Sequence, residues 1–69
     1  MYFELYDGEA FITFDIVYLN EKKMEVQFAV TNRGKISFVT YDLRESGKGM
    51  YFEYGCDYQK IYIDDFKED

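Results

Sequence analysis

The sequence predicts an all-β fold of short antiparallel strands joined by hairpins, on three observations. Apolar and polar residues alternate with period two along most of the chain. The apolar positions are filled largely by aromatic and β-branched residues, with Phe present 7 times and Tyr 8 times. No window carries an apolar stripe at helical spacing. About six strands follow, near residues 2–6, 10–19, 24–31, 35–43, 50–55 and 59–64.

The first hairpin is marked by Asp7-Gly8, a dipeptide that supplies the positive φ values of a two-residue type I′ turn. That turn pairs Tyr6 with Glu9, Leu5 with Ala10 and Phe3 with Ile12. It gathers Phe3, Leu5, Ala10, Ile12, Phe14 and Ile16 on one face and leaves Tyr2, Glu4, Tyr6, Glu9, Phe11 and Thr13 on the other. The second loop, around Asn20-Glu21-Lys22-Lys23, lacks glycine. Keeping Ile16 and Tyr18 on the face of Met24 and Val26 requires an odd loop length or a bulge.

Asn32-Arg33-Gly34 suits a three-residue loop that ends with glycine in the left-handed region. It pairs Val30 with Ile36, Phe28 with Phe38 and Val26 with Thr40. Strand four then changes face: Ile36 and Phe38 point one way, and Val39, Tyr41 and Leu43 the other. A mid-strand bulge, or burial on both faces, accounts for this. Arg44–Gly49 is predicted to be a long mobile loop, and Gly55-Cys56-Asp57 the last turn. The end of the chain, 65–69, is predicted to be one loose turn or a disordered acidic tail. The architecture implied is a small partly open barrel of SH3-like or OB-like type, or a twisted sheet that dimerises. The whole of 1–69 is read as one small β domain.

Charge is distributed unevenly around a net of −6. Residues 1–21 carry five acids and no base, residues 22–48 six bases against three acids, and residues 49–69 six acids against two bases. The overall sign argues against nucleic-acid binding by phosphate neutralisation. One cysteine, Cys56, excludes an intrachain disulfide and fits a cytoplasmic location. The start of the chain lacks the pattern of a signal peptide, and no apolar run reaches the roughly 18–20 residues of a membrane helix. Beginning at Met and ending in charges, the chain reads as a complete small protein.

Chemistry-bearing motifs are scarce. Histidine is absent, which removes the commonest general base and metal ligand. Cys56 has no imidazole to activate it and is expected as a semi-buried thiol in a turn. Asp64-Asp65 on a strand would face opposite ways and make a poor acid–base pair. Ser46-Gly47-Lys48-Gly49 lacks P-loop spacing. No catalytic residue, cofactor or metal site is therefore expected, and the chain reads as a non-enzyme.

Binding is the remaining class. If the first and last strands lay side by side, the two acidic ends would merge into one face. Glu4, Glu9, Asp15, Glu53, Asp57, Asp64 and Asp65 would be its acids, and Tyr2, Tyr6, Tyr58 and Tyr62 the exposed tyrosines among them. Tyrosine favours interfaces because it is large, stiff and polar at one end. Such a face would steer the protein onto a protein partner with a basic surface, such as the nucleic-acid groove of an enzyme. In size, charge and tyrosine content the chain resembles small acidic inhibitors from phages and mobile elements that mimic DNA. Two other readings remain: a homodimer or larger homo-oligomer formed by strand pairing, and a weak single-strand binder using Tyr51, Tyr54, Tyr58 and Tyr62 as a stacking platform.

Overall fold

The computed structural model describes residues 1–68 and is nearly all β. Its seven strands are β1 (Tyr2–Tyr6), β2 (Phe11–Asn20), β3 (Glu25–Asn32), β4 (Lys35–Asp42), β5 (Arg44–Ser46), β6 (Gly49–Tyr54) and β7 (Gln59–Tyr62). They form a four-stranded sheet, β1-β2-β3-β4, and a three-stranded sheet, β5-β6-β7, which do not close into a barrel. Every strand pairing is antiparallel.

The β1–β2 hairpin keeps the predicted faces but not the predicted pairing. Tyr6 lies opposite Phe11, Leu5 opposite Ile12 and Phe3 opposite Phe14, so the loop holds four residues, not two. The Asp7 carboxylate explains the longer loop: its Oδ1 accepts the N–H groups of Glu9 at 3.1 Å and Ala10 at 3.0 Å. A shift of two residues leaves every side chain on its original face.

Of the two alternatives for the second hairpin, an odd loop or a bulge, the structure has a bulge in β2 between Ile16 and Tyr18. Its consequence differs from expectation. With Val17 as the extra residue, Tyr18 turns outward opposite Gln27, and Leu19 takes the core side opposite Val26. Asn20 Oδ1 caps the following loop by accepting the Lys23 N–H at 3.1 Å.

The largest correction concerns β4. The loop after β3 has two residues, because Asn32 pairs directly with Lys35. Both central residues have positive φ, 53° at Arg33 and 78° at Gly34, as a type I′ turn requires. The strand is thereby displaced by one residue from the predicted register, which exchanges its faces. Val39 and Tyr41 pack on the core, while Ile36 and Phe38 are 65% and 66% exposed. No bulge interrupts β4. Burial decides the register: the adopted face sets Tyr41 against Phe52 at 4.8 Å and continues into buried Leu43.

Two segments expected to be loose are packed. Arg44–Ser46 is a strand, and the chain reverses tightly through Gly47-Lys48 into β6. Gly49 has φ 117°, and a Cβ there would meet the Asp64 carboxylate at 3.0 Å. The last strand ends at Tyr62, before a 3-10 turn over Ile63–Asp65. In such a turn residues three apart share a side. Ile63 and Phe66 accordingly both point into the core, leaving Asp64 and Asp65 exposed. Of the tail predicted to be loose, only Asp69 lies outside the described residues.

One core joins the sheets. Ile12, Phe14, Val26 and Phe28 enter from the larger sheet, Phe52 and Ile61 from the smaller, and Leu43, Ile63 and Phe66 from the connections. Phe28 meets Phe52 at 4.7 Å, Phe14 at 5.6 Å, Tyr41 at 5.9 Å and Phe66 at 5.6 Å. Ring pairs at these separations add about 0.5–1.5 kcal/mol each beyond burial.

Phe66→Ala is expected to lower unfolding free energy by about 3–5 kcal/mol, as buried phenylalanine truncations do. A urea titration that registers less than about 1 kcal/mol would show that the tail contributes nothing to the core. Burial, and next the neighbouring Tyr54, raise the Tyr41 hydroxyl above its ordinary value of 10.0. The unfolded chain ionises this group first, so stability should fall as pH rises above 10.0. Tyr41→Phe should lessen that alkaline loss in thermal melts at rising pH.

Candidate interaction surface

The outer face of the four-stranded sheet is built by the residues that alternate with the core. On β1 these are Tyr2, Glu4 and Tyr6, opposite Asp15, Thr13 and Phe11 of β2. Tyr6 and Phe11, 59% and 62% exposed, meet ring to ring at 5.1 Å. The Tyr6 hydroxyl also donates to the Gly8 carbonyl at 3.0 Å, which fixes the ring over the turn. Further across, the short side chains of Thr13, Thr31 and Ala29 form a low floor. Ile36 and Phe38 rise beyond them on β4.

The chain ends meet beside this face, by a route the sequence reading did not foresee. The last strand, β7, does not pair with β1. The segment after it does, at a single bridge: the Tyr2 N–H donates to Lys67 at 2.8 Å, and the Lys67 N–H donates back to Tyr2 at 2.7 Å. Tyr2, Phe3, Glu4, Asp65 and Lys67 line a shallow hollow of about 200 Å³. Glu4 and Asp65 are thus brought to one corner, together with Lys67.

The remaining predicted residues are dispersed. Glu9, in the first turn, forms an ion pair with Arg33. Glu53 lies on the outer side of the smaller sheet, opposite Lys60 and 2.8 Å from the Arg44 guanidinium. Asp57 and Tyr58 sit in the β6–β7 turn, where Tyr58 has φ 53° and is 70% exposed. Asp64 borders Gly49. Tyr62 is half-buried against Tyr51 at 5.2 Å, and the Lys60 Nζ lies 5.1 Å from the Tyr51 ring. Tyr54 is turned into the core, edge-on to Phe14 at 5.3 Å. The tyrosines of the supposed stacking platform therefore do not share one surface.

Two features escaped the sequence reading. Ile36 and Phe38 were assigned to the interior by the one-residue register difference. A second open hollow of about 230 Å³, lined by Tyr41, Asp42, Arg44, Glu53, Gly55 and Tyr58, depends on the unforeseen strand β5. Cys56 is exposed in its turn, not semi-buried as expected. Among the described residues no group of three or more His, Cys, Asp or Glu side chains could hold a metal ion, and no helix is long and apolar enough to cross a membrane. The chain matches no protein-family model, no curated protein and no solved structure.

The Asp7 carboxyl in the first turn is held in its charged form by its surroundings. The N–H of Ala10, then that of Glu9, holds its pKa below the ordinary 3.8, and Arg33 adds to this. A depressed carboxylate stabilises the fold above its unfolded value and loses that contribution as pH falls through the folded value. Hairpin stability should therefore fall as pH drops below 3.8. Asp7→Asn keeps an oxygen acceptor without the titration. It should flatten this acid dependence in amide hydrogen exchange of Glu9 and Ala10, and an unchanged dependence would assign the effect elsewhere.

Proposed function

We propose that this protein is a non-enzymatic protein-binding module that engages a partner with a basic surface through the β1–β2 side of its outer sheet face. The observation that carries this reading is the grouping of the exposed Tyr6–Phe11 ring pair with Tyr2, Glu4 and Asp15 on one open face. Exposed aromatics beside charge are the composition of interface centres and rims. Neither Glu4 nor Asp15 has an ion-pair partner among the described residues, so their charge is directed to solvent. Asp65 extends that field across the bridged chain ends. The free thiol of Cys56 fits a reducing, cytoplasmic setting.

A basic nucleic-acid groove is one surface such a module would fill, and an inhibitor of phage or mobile-element type would act in this way. The acids available for it are Glu4, Asp15, Asp65 and Asp64 more than Glu9 and Glu53, whose charge is matched by Arg33 and Arg44.

The immobilised chain, exposed to an extract of its native host, should retain a partner that elutes as salt rises. Glu4→Lys with Asp65→Lys should weaken retention about tenfold or more, and Phe11→Ser should weaken it without changing salt dependence. Duplex DNA should displace the partner if its groove is the contact. Retention that ignores both salt and the charge reversals rules out the electrostatic reading.

A further inference from the structure

The two edges of the four-stranded sheet are treated differently. At β1, the Lys67 bridge occupies the backbone of Tyr2. At β4, no backbone hydrogen bond leaves the outer edge among the described residues. Which groups are free follows from the register. Asn32 and Lys35 close a two-residue turn and so exchange both of their hydrogen bonds. Lys35, Ser37, Val39 and Tyr41 therefore bond to β3, and the Leu43 N–H continues the series to Met24 at 2.8 Å. Ile36, Phe38, Thr40 and Asp42 turn their N–H and C=O groups away from the sheet.

Exposed edges are usually blunted by proline, a bulge, an inward charge or a covering segment. The chain has no proline, β4 has no bulge, and no charged residue lies between Lys35 and Asp42. Instead, the residues with outward backbone groups include the exposed Ile36 and Phe38.

We propose that β4 is the interface of a homodimer, in which a second copy pairs antiparallel about a two-fold axis at Phe38. A two-fold perpendicular to a sheet leaves its faces unchanged. Opposed residues must then come from the same face, and on β4 the outer-face residues are also those with free backbone groups. Centring on Phe38 satisfies both conditions. Phe38 meets its own copy, and Ile36 meets Thr40, giving aromatic and β-branched cross-strand pairs. The same register sets Asp42 opposite Gly34 of the second copy, between Arg33 and Lys35.

Charge at this edge is complementary to a second copy. β4 carries one base, Lys35, and one acid, Asp42, at its two ends. The antiparallel register brings Asp42 of each copy beside Lys35 of the other, so opposite charges meet. Centring on Val39 would set Ile36 against Asp42, and centring on Ser37 would carry Asp42 past the turn to Asn32. Edge pairing of a single strand falls short of the roughly 800 Å² per partner of a standard interface, so dissociation is expected in the micromolar range. The dimer leaves the β1–β2 side of both copies open, and it does not depend on the partner proposed for that side.

Sedimentation equilibrium of the full chain, from micromolar to millimolar, should show the average mass rise from 8.3 kDa toward twice that value. Phe38→Lys places two amines at the axis and should weaken association about tenfold or more, with an unchanged circular dichroism spectrum. In a Cys56→Ser background, chains carrying Ile36→Cys and Thr40→Cys should join to each other on oxidation in preference to themselves. Their expected Cα separation of about 5.5 Å permits a disulfide. Tyr18→Cys, exposed on the same face but away from β4, should join neither. A monomer at every concentration, full association of Phe38→Lys, or indiscriminate crosslinking overturns the proposal.

Discussion

Phe28 stands where the two sheets meet, with Phe14 beside it on the neighbouring strand, Phe52 across from it on the smaller sheet and Phe66 stacked on it from the tail at an interplanar angle of 17°. No barrel seam of backbone hydrogen bonds joins β1-β2-β3-β4 to β5-β6-β7. Their mutual position rests on packed rings and aliphatic side chains. A chain of 69 residues lacks area for a large core, so a few aromatic residues with large buried surfaces must do what many aliphatic ones do in larger domains. The described residues include no buried polar or charged side chain, so the core has no internal polar network to satisfy.

This core constraint propagates to the surface. Because Val39, Tyr41 and Leu43 are drawn inward, Ile36 and Phe38 must point outward, since neighbours on a strand alternate. Because Ile63 and Phe66 are drawn inward, the chain bends through a 3-10 turn and delivers Lys67 to Tyr2. The exposed apolar edge and the acidic corner are thus both consequences of what the aromatic cluster requires. They lie on opposite edges of one sheet, which allows the binding face and the proposed self-association to coexist. A dimer would present the acidic corner twice and raise avidity for any partner with repeated basic sites.

Local pattern carried the fold class and most strand positions, because period-two alternation is written into neighbouring residues. It also carried the faces of β1 and β2 up to the bulge, and it called for an odd loop or a bulge near the second loop without placing it. Its failures are specific. The Asp7-Gly8 signal was sound as a turn, but an aspartate that caps two N–H groups with its own carboxylate extends the loop by two residues. The Asn32-Arg33-Gly34 signal misled more, because it permits both a two-residue and a three-residue loop, and the choice reverses β4. β5 was hidden because Arg44-Glu45-Ser46 has neither alternation nor β-branching, and it is a strand only because β6 pairs with it. Of the candidate site, Tyr2, Glu4, Tyr6, Asp15 and Asp65 are gathered around one face and corner, while Glu9 and Glu53 were assigned without their arginine partners in view.

By itself the sequence determined an all-β chain with an aromatic interior, an uneven charge and no histidine chemistry, since all of these follow from composition and near-neighbour spacing. Only the tertiary structure decided which face of β4 is buried, where the tail goes and which carboxylates remain unmatched. Those outcomes turn on contacts between residues far apart in the chain, such as Tyr41 with Phe52, Phe66 with Phe28 and Glu9 with Arg33. A one-residue change of register costs little in the turn itself. In the core it exchanges one whole row of side chains for another, and that is where the choice is made.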